Sequence, residues 1–465
     1  MGNNPGPGAS DVAPKSGKRK RGYKSSRDAC GRFVSSDELE TVCRLCGSLE
    51  VVKSGFNFTK EGTKQRYKCN DCGCTFTPTS NLVKRNRFSD GADKDVREAK
   101  IAGLRKFRRL VEKEIYSLLD FGLYPQAKYS TENFLDMMTH MAITHDFAEN
   151  GSKTFRLIAK RENPSADDLL WHLAKFSREE VERRFVAVFD RIFQIANEAI
   201  PLRGKRFDVV VDFHDWQCHC KGGEGVIDIP RKKGASKGYR FATINIVKPG
   251  FRFTLLALPV RKHSEMIGAV EKLLKFAMRW IKINRVYCDR WFYKREIVRI
   301  FKRLKVKFII RALESTKIKK IIRTIGSLPV VMDHELTGHC PPYGREKVKL
   351  FIVKSEDEES GMMYFITNSN VNEKNADRFA KLYRRRWGIE TSYRVKGDFK
   401  PKTTSRRYAI RLFYFMFSVC LYNCWVLVNL TVGMTLLKFV PSEPFITAKF
   451  FGAILYLPSS PFDPG

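Results

Sequence analysis

Three acidic residues, Asp212, Asp289 and Glu390, stand out by type and setting. Asp212 closes the apolar run Val209-Val210-Val211, and Asp289 follows Arg285 to Cys288, so each is expected at the C-terminal end of a strand. A carboxylate buried in a strand is costly unless it is paired or on metal. At the ends of two neighbouring strands, both carboxylates can reach one cleft. Glu390 belongs to a later helical segment that can pack across that edge. Three carboxylates gathered there can hold two Mg²⁺ ions roughly 4 Å apart, enough to activate an attacking oxygen and stabilise a leaving one in phosphodiester chemistry. Two alternatives stay open: Asp289 precedes a predicted helix and could simply cap it, and Asp215 is a rival to Asp212 as first ligand.

Tyr383, Arg386, Glu390 and Arg394 follow one another at steps of 3, 4 and 4, which places them on one helical face. A carboxylate flanked by a phenol and two guanidiniums fits a metal ligand among phosphate-binding groups. A surface salt-bridge stripe is the plainer alternative. Trp387 and Ile389 are expected to face the core.

Cysteines supply a second constellation. Cys43-Arg-Leu-Cys46-Gly47 and Cys69-Asn-Asp-Cys72-Gly73 are two CxxCG knuckles with 22 residues between Cys46 and Cys69. Glycine lets the backbone turn under a metal, and four thiolates suit a closed structural Zn²⁺ site. Nearby Phe56, Phe58, Lys64, Arg66 and Tyr67 suit either DNA contact or the small core of such a ribbon. The cluster His214, Cys218, His219 and Cys220 lacks zinc-knuckle spacing and is read as loop without metal. Lys232, Lys233 and Lys237 are read as a loop, solvated or reaching DNA.

The elements that must position these groups follow from composition and periodicity. Lys and Arg total 85 against 50 Asp and Glu, a net charge of +35, which suits a polyanionic partner. The 12 cysteines are not spaced as a disulfide framework, so thiols are expected to be free or on metal in a reducing compartment. Residues 1 to 38 read as a disordered basic tail carrying Lys18-Arg19-Lys20-Arg21, and 39 to 80 as the zinc ribbon. Residues 93 to 200 read as an all-helical, basic, DNA-binding region. Within it Leu104, Phe107, Val111, Ile115 and Leu118 recur at helical steps, and Ser165 caps a second stretch reaching Glu198. Strands follow: Val209 to Phe213, a hairpin of Arg240 to Val247 and Phe251 to Val260 turning at Lys248-Pro249-Gly250, then Arg285 to Asp289 and Lys307 to Leu313, with helices at Ser264 to Ile283 and Tyr293 to Arg303. A strand-rich stretch (about 327–370) precedes a helix from Glu373 to Lys396, an apolar helix from Arg406, and a tail at 441–465. Leu412 to Leu437 carries no charge and is long enough to span a bilayer.

On these residues the chain resembles prokaryotic insertion-sequence DDE transposases with the Tyr-Arg-Glu-Lys signature. The resemblance rests on Tyr364-Phe-Ile-Thr-Asn368, Leu382-Tyr383-Arg-Arg-Arg386-Trp387-Gly-Ile389-Glu390, Cys288-Asp289-Arg290-Trp291-Phe292 with Phe308-Ile-Ile-Arg311, and Val211-Asp212-Phe213-His214-Asp215. It implies an α/β, RNase H-like catalytic core at 205–440 with a strand-rich insertion between Asp289 and Glu390. It also implies Asp212, Asp289 and Glu390 as ligands of catalytic Mg²⁺ or Mn²⁺, with Tyr383, Arg386, Arg394 and Lys396 near DNA. The signature lysine falls one residue early, at Lys396, with Gly397 in the usual place. By the same resemblance Leu412 to Leu437 is the sheet-packing helix, buried between layers rather than in a membrane. The implied function is to bind element ends in double-stranded DNA, cleave, and transfer strands to target DNA. The implied enzyme is a homodimer in the cytoplasm, on the nucleoid. A silent transposase-derived DNA binder and a host nuclease without strand transfer are the alternatives.

Overall fold

The computed structural model describes residues 51–59, 62–70, 75–77, 90–160, 162–232, 234–323, 326–337, 344–356, 358, 361–437, 440 and 443–456. The expectations for the basic tail, for Cys43, Cys46 and Cys72, and for Lys233 lie outside these residues.

Two units divide the chain, residues 1–79 and 80–465. In the first, β1 (Val51–Thr59), β2 (Gly62–Cys69) and β3 (Thr75–Phe76) form an antiparallel sheet in that order. Val51 pairs opposite Cys69, which is buried. Tyr67 stacks on Phe76, their ring centroids 6.2 Å apart, so this aromatic residue serves the sheet's own packing, whereas Phe56 is exposed.

The second unit opens with five helices: α1 (Asp90–Glu114), α2 (Thr131–Thr144), α3 (Ala148–Ala159), α4 (Ala166–Lys175) and α5 (Arg178–Ala199). In α1, Leu104, Phe107, Val111 and the following Ile115 are buried, as their spacing predicts. Ser165 caps α4, accepting from the Asp168 amide at 3.1 Å. The predicted single stretch is in fact broken, because Ser177 accepts from the Glu180 amide at 3.1 Å and starts α5.

Then come β4 (Arg206–Cys218), β5 (Val226–Lys232), β6 (Ala235–Ile246), β7 (Thr254–Val260), α6 (Glu265–Trp280), β8 (Lys282–Cys288), α7 (Arg295–Arg303), β9 (Phe308–Arg311), α8 (Thr316–Ile322), β10 (Val330–Thr337), β11 (Arg345–Lys354) and β12 (Met362–Thr367). The chain finishes with α9 (Ala376–Arg384), α10 (Gly388–Gly397), α11 (Tyr408–Leu437) and α12 (Ala448–Tyr456). Among the described residues the strands form one nine-stranded sheet in the order β10-β11-β12-β9-β8-β4-β6-β5, with β7 also pairing β6. β4, β8 and β9 are mutually parallel, while β6 and β7 form the expected antiparallel hairpin. Its turn needs Gly250, whose φ is +76°.

Three expectations are corrected. The helices at 90–199 are not a separate domain: they share one hydrophobic core with the sheet. The joint is α11, whose Phe413 meets Phe121, Phe176 and Phe185 at ring distances of 5.9, 5.5 and 5.1 Å. Across α11, Asn423 donates to the Thr254 carbonyl (2.8 Å) and accepts from the Thr254 amide (2.9 Å) in β7. The strand-rich insertion at 327–370 extends the same sheet, since β12 pairs antiparallel with β9. Asn368 holds that junction, accepting from the Phe308 amide at 3.0 Å and donating to the Val306 carbonyl at 2.9 Å. The C-terminal tail contains α12, whose Phe451 and Leu455 are buried; the four-residue spacing of these apolar groups fits a helix. Finally, Cys218 and Cys220 are joined as a disulfide, against the expectation of free thiols.

Candidate active site

Strand register builds the site. Val210 of β4 pairs with Tyr287 of β8, the last pair between these parallel strands. Two residues further along each strand stand Asp212 and Asp289, at one level and on one face. β4 runs on beyond β8, paired only with β6, so Asp212 lies within its strand rather than at its end. Asp289 leaves β8 and caps a 3-10 turn, accepting from the Trp291 amide at 2.8 Å. The cap reading therefore holds, and the capping carboxylate stands level with Asp212. Asp212 accepts from the Phe213 amide at 2.9 Å.

Burial, and next the neighbouring Asp289 charge, push the Asp212 carboxyl up to about 7. Burial also raises Asp289. Two desolvated carboxylates side by side are short of positive charge. Such hard oxygen donors suit a divalent cation such as Mg²⁺.

Alternation along β4 separates Asp215 from Asp212 and Asp289. Residues 212 and 215 point to opposite faces. Asp215 is held there by Arg240 through two bonds of 2.6 and 2.8 Å. On the Asp212 face, Thr243 of β6 lies opposite Asp212 and shares a 2.6 Å hydrogen bond with the Tyr393 hydroxyl of α10.

The helix carrying Glu390 is broken. A 3-10 turn, Arg385–Trp387, separates α9 from α10. Tyr383 is buried and its hydroxyl donates to the Cys288 carbonyl at 3.2 Å, directly behind Asp289. Arg385 reaches Asp208 at 3.2 Å, and Asp208 also accepts from the Tyr287 hydroxyl (2.7 Å) and the Asn284 amide (2.8 Å). These contacts pin the turn onto β4 and β8. Arg386 lies next. Burial disfavours its charge, but Tyr383, Asp212, Asp289 and Glu390 outweigh that penalty. Its guanidinium is thus the cation common to all three acids.

Glu390 itself is exposed, 3.4 Å from Arg386. Among the described residues no three His, Cys, Asp or Glu side chains are gathered to hold a metal ion. The structure brings Asp212 and Asp289 together and connects Glu390 to them through Arg386. Arg394, also exposed, shares the outer face with Glu390. Ile389 is buried as expected, but Trp387 is exposed, because the 3-10 turn rotates it outward.

Lys396 and Tyr383 were expected beside DNA and are instead internal. Lys396 donates to Asn245 of β6 at 2.8 Å, and its ammonium sits 4.6 Å from the Tyr393 ring centroid and 5.0 Å from that of Tyr422. Burial lowers it to about 7, against the pull of Asp212. The supporting residues Asp208, Thr243, Asn245 and Tyr393 escaped sequence reasoning. A signal existed for two of them: Thr243 and Asn245 are polar residues two apart in the apolar strand Phe241 to Ile246, on one face of the sheet.

Residues 209–424 match the family model for the transposase DDE domain. This stretch contains Asp212, Asp289 and Glu390, and the protein is an enzyme of the DDE nuclease and transposase class. The family implies catalysis with a divalent metal. Among solved structures, the chain is similar to a piggyBac transposase in a synaptic complex with hairpin DNA, at 12% identity and a TM-score of 0.48 over 77% of this chain and 76% of that one. No curated protein matches the chain.

Proposed function

We propose that the protein is a DNA transposase of the prokaryotic insertion-sequence kind with a Tyr-Arg-Glu-Lys signature. It would bind element ends, cleave them and join them to target DNA. The observation that carries this reading is the level placement of Asp212 and Asp289 on parallel β4 and β8, with Arg386 tying both to Glu390. The strand order β7-β6-β4-β8-β9, with β6 antiparallel and β8 and β9 parallel to β4, supports an RNase H-like core.

Asp212, Asp289 and Glu390 would hold Mg²⁺ or Mn²⁺, which supplies the charge that activates an attacking oxygen and stabilises the leaving one. Tyr383 fixes the Asp289 peptide from behind, and Thr243 and Tyr393 are hydrogen-bonded to each other on the Asp212 face. Arg386 is positioned to exchange a carboxylate for a DNA phosphate, and Arg394 to meet the backbone further out. Cys43, Cys46, Cys69 and Cys72 would hold structural Zn²⁺. The β1–β2 pairing of Val51 with Cys69 supports this, because it returns the chain to a point five residues after Cys46. Two ends need two sites, so the working form would be a homodimer on double-stranded DNA, at the nucleoid.

The test is cleavage of duplex DNA carrying the element's terminal repeats, with Mg²⁺ or Mn²⁺. Asp289→Asn and Glu390→Gln should each lower the rate at least about 100-fold while the protein still binds DNA. Unchanged cleavage by both variants would sink the mechanism.

A further inference from the structure

A pair of cations lies further along the strand that carries Asp212. Trp216 is four residues beyond Asp212 on the same face of β4, whose pairing with β6 runs unbroken through both positions. At the strand's rise of about 3.3 Å per residue, that is about 13 Å away. Over the Trp216 ring sit the Lys400 ammonium, 4.3 Å from its centroid, and the Arg411 guanidinium at 5.3 Å. Arg411 also lies 5.1 Å from the Tyr239 ring.

The two cations are not alike. Arg411 is buried and is held by the carbonyls of Ser405 (2.7 Å) and Thr403 (3.4 Å). The Lys400 ammonium makes no hydrogen bond among the described residues, and no carboxylate there bears on either cation. The charge felt by Lys400 is that of Arg411, and burial together with that repulsion lowers it to about 8. An indole face attracts a cation but does not neutralise it. Two desolvated like charges without a counter-ion are destabilising, and an anion between them relieves both. Trp216 and Lys400 are partly exposed, so an anion can approach.

We propose that Lys400, Arg411 and Trp216 form a site for a phosphodiester group of the DNA strand, a few nucleotides from the one placed at Asp212 and Asp289. This rests on the transposase reading above. The fixed guanidinium orients the phosphate, the mobile ammonium closes on it, and the indole wall keeps both cations at the mouth of the site.

The experiment compares wild-type protein with Lys400→Met and, as a second variant that keeps polarity, Lys400→Gln. Binding to a labelled random-sequence duplex is measured over a series of salt concentrations, and melting is followed with and without inorganic phosphate. Both variants are expected to flatten the slope of log affinity against log salt by about one. They should melt no lower than wild type without ligand, since an uncompensated buried charge is gone. Phosphate should raise the wild-type Tm and leave the variants unmoved. An unchanged salt slope in folded variants, or a lowered Tm with no change in slope, would overturn the site and make Lys400 a packing residue. If wild type binds no duplex at all, the transposase reading fails instead. The phosphate melts then decide alone: stabilisation confined to wild type keeps the anion site, and its absence removes it.

Discussion

Asp212 and Asp289 stand level on parallel strands, each two residues past the Val210–Tyr287 pair. Because the register is fixed by buried apolar pairs such as Val209 with Val286, the two carboxylates meet before any cation is bound. The Asp212 carboxyl lies at about 7 in the folded protein against 3.8 ordinarily, so between those values the folded chain keeps a proton that the unfolded chain has lost. Stability of metal-free protein should therefore fall as pH rises through that window, by on the order of 4 kcal/mol. Asp212→Asn should flatten this dependence and melt higher than wild type at about pH 8. Melting curves across the pH range decide it, and an equal slope in the variant would rule the coupling out.

Mg²⁺ or Mn²⁺ should raise the Tm, and do so more at about pH 8 than at about pH 5, because binding competes with protonation of the pair. Asp289→Asn should lose the effect. Asp215→Asn should keep it while melting lower, because Asp215 serves the Arg240 bridge on the opposite face. Loss of that part-buried bridge is worth about 2 kcal/mol. Metal stabilisation that vanished in Asp215→Asn would reinstate it as the first ligand.

Lys396→Met should leave the salt dependence of DNA binding unchanged, since the ammonium is internal and bonded to Asn245. Cleavage should fall about 10-fold or more, because one of the two cations whose charge bears on Asp212, the other being Arg386, is lost. Filter binding and single-turnover cleavage separate the two roles. A reduced salt slope would return Lys396 to the DNA interface.

Asp208→Ala should destabilise the protein by roughly 2–4 kcal/mol in urea melts, since Tyr287, Asn284 and Arg385 lose a shared acceptor. It should also slow cleavage, because Arg385 adjoins the arginine that links the three acids. Wild-type stability in this variant would show that the 3-10 turn is held by other means.

Local pattern carried much of this far. The apolar run Val209 to Val211 in β4, the turn at Gly250 and the apolar stretches of β8 and β11 are readable because each depends on neighbours in sequence. What was not readable depends on partners far away. Lys396 looks like any basic residue on a basic helix until β6 supplies Asn245, 151 positions earlier. Glu390 and Arg394 kept their shared face, but the 3-10 turn before them changed the phase and turned Trp387 outward. The joining of the leading helices to the sheet was not readable for the same reason: periodicity says that α1 and α5 are amphipathic, not which surface receives them.

α11 is buried along most of its length, contacting helices that precede the sheet on one side and β7 on the other. The catalytic half consequently cannot be cut out and studied alone. A fragment beginning near residue 201 would leave Phe413 without Phe121, Phe176 and Phe185, a naked greasy stripe that invites precipitation. Fold and catalysis are inherited together, and any shortened version must keep the leading helices to stay in solution.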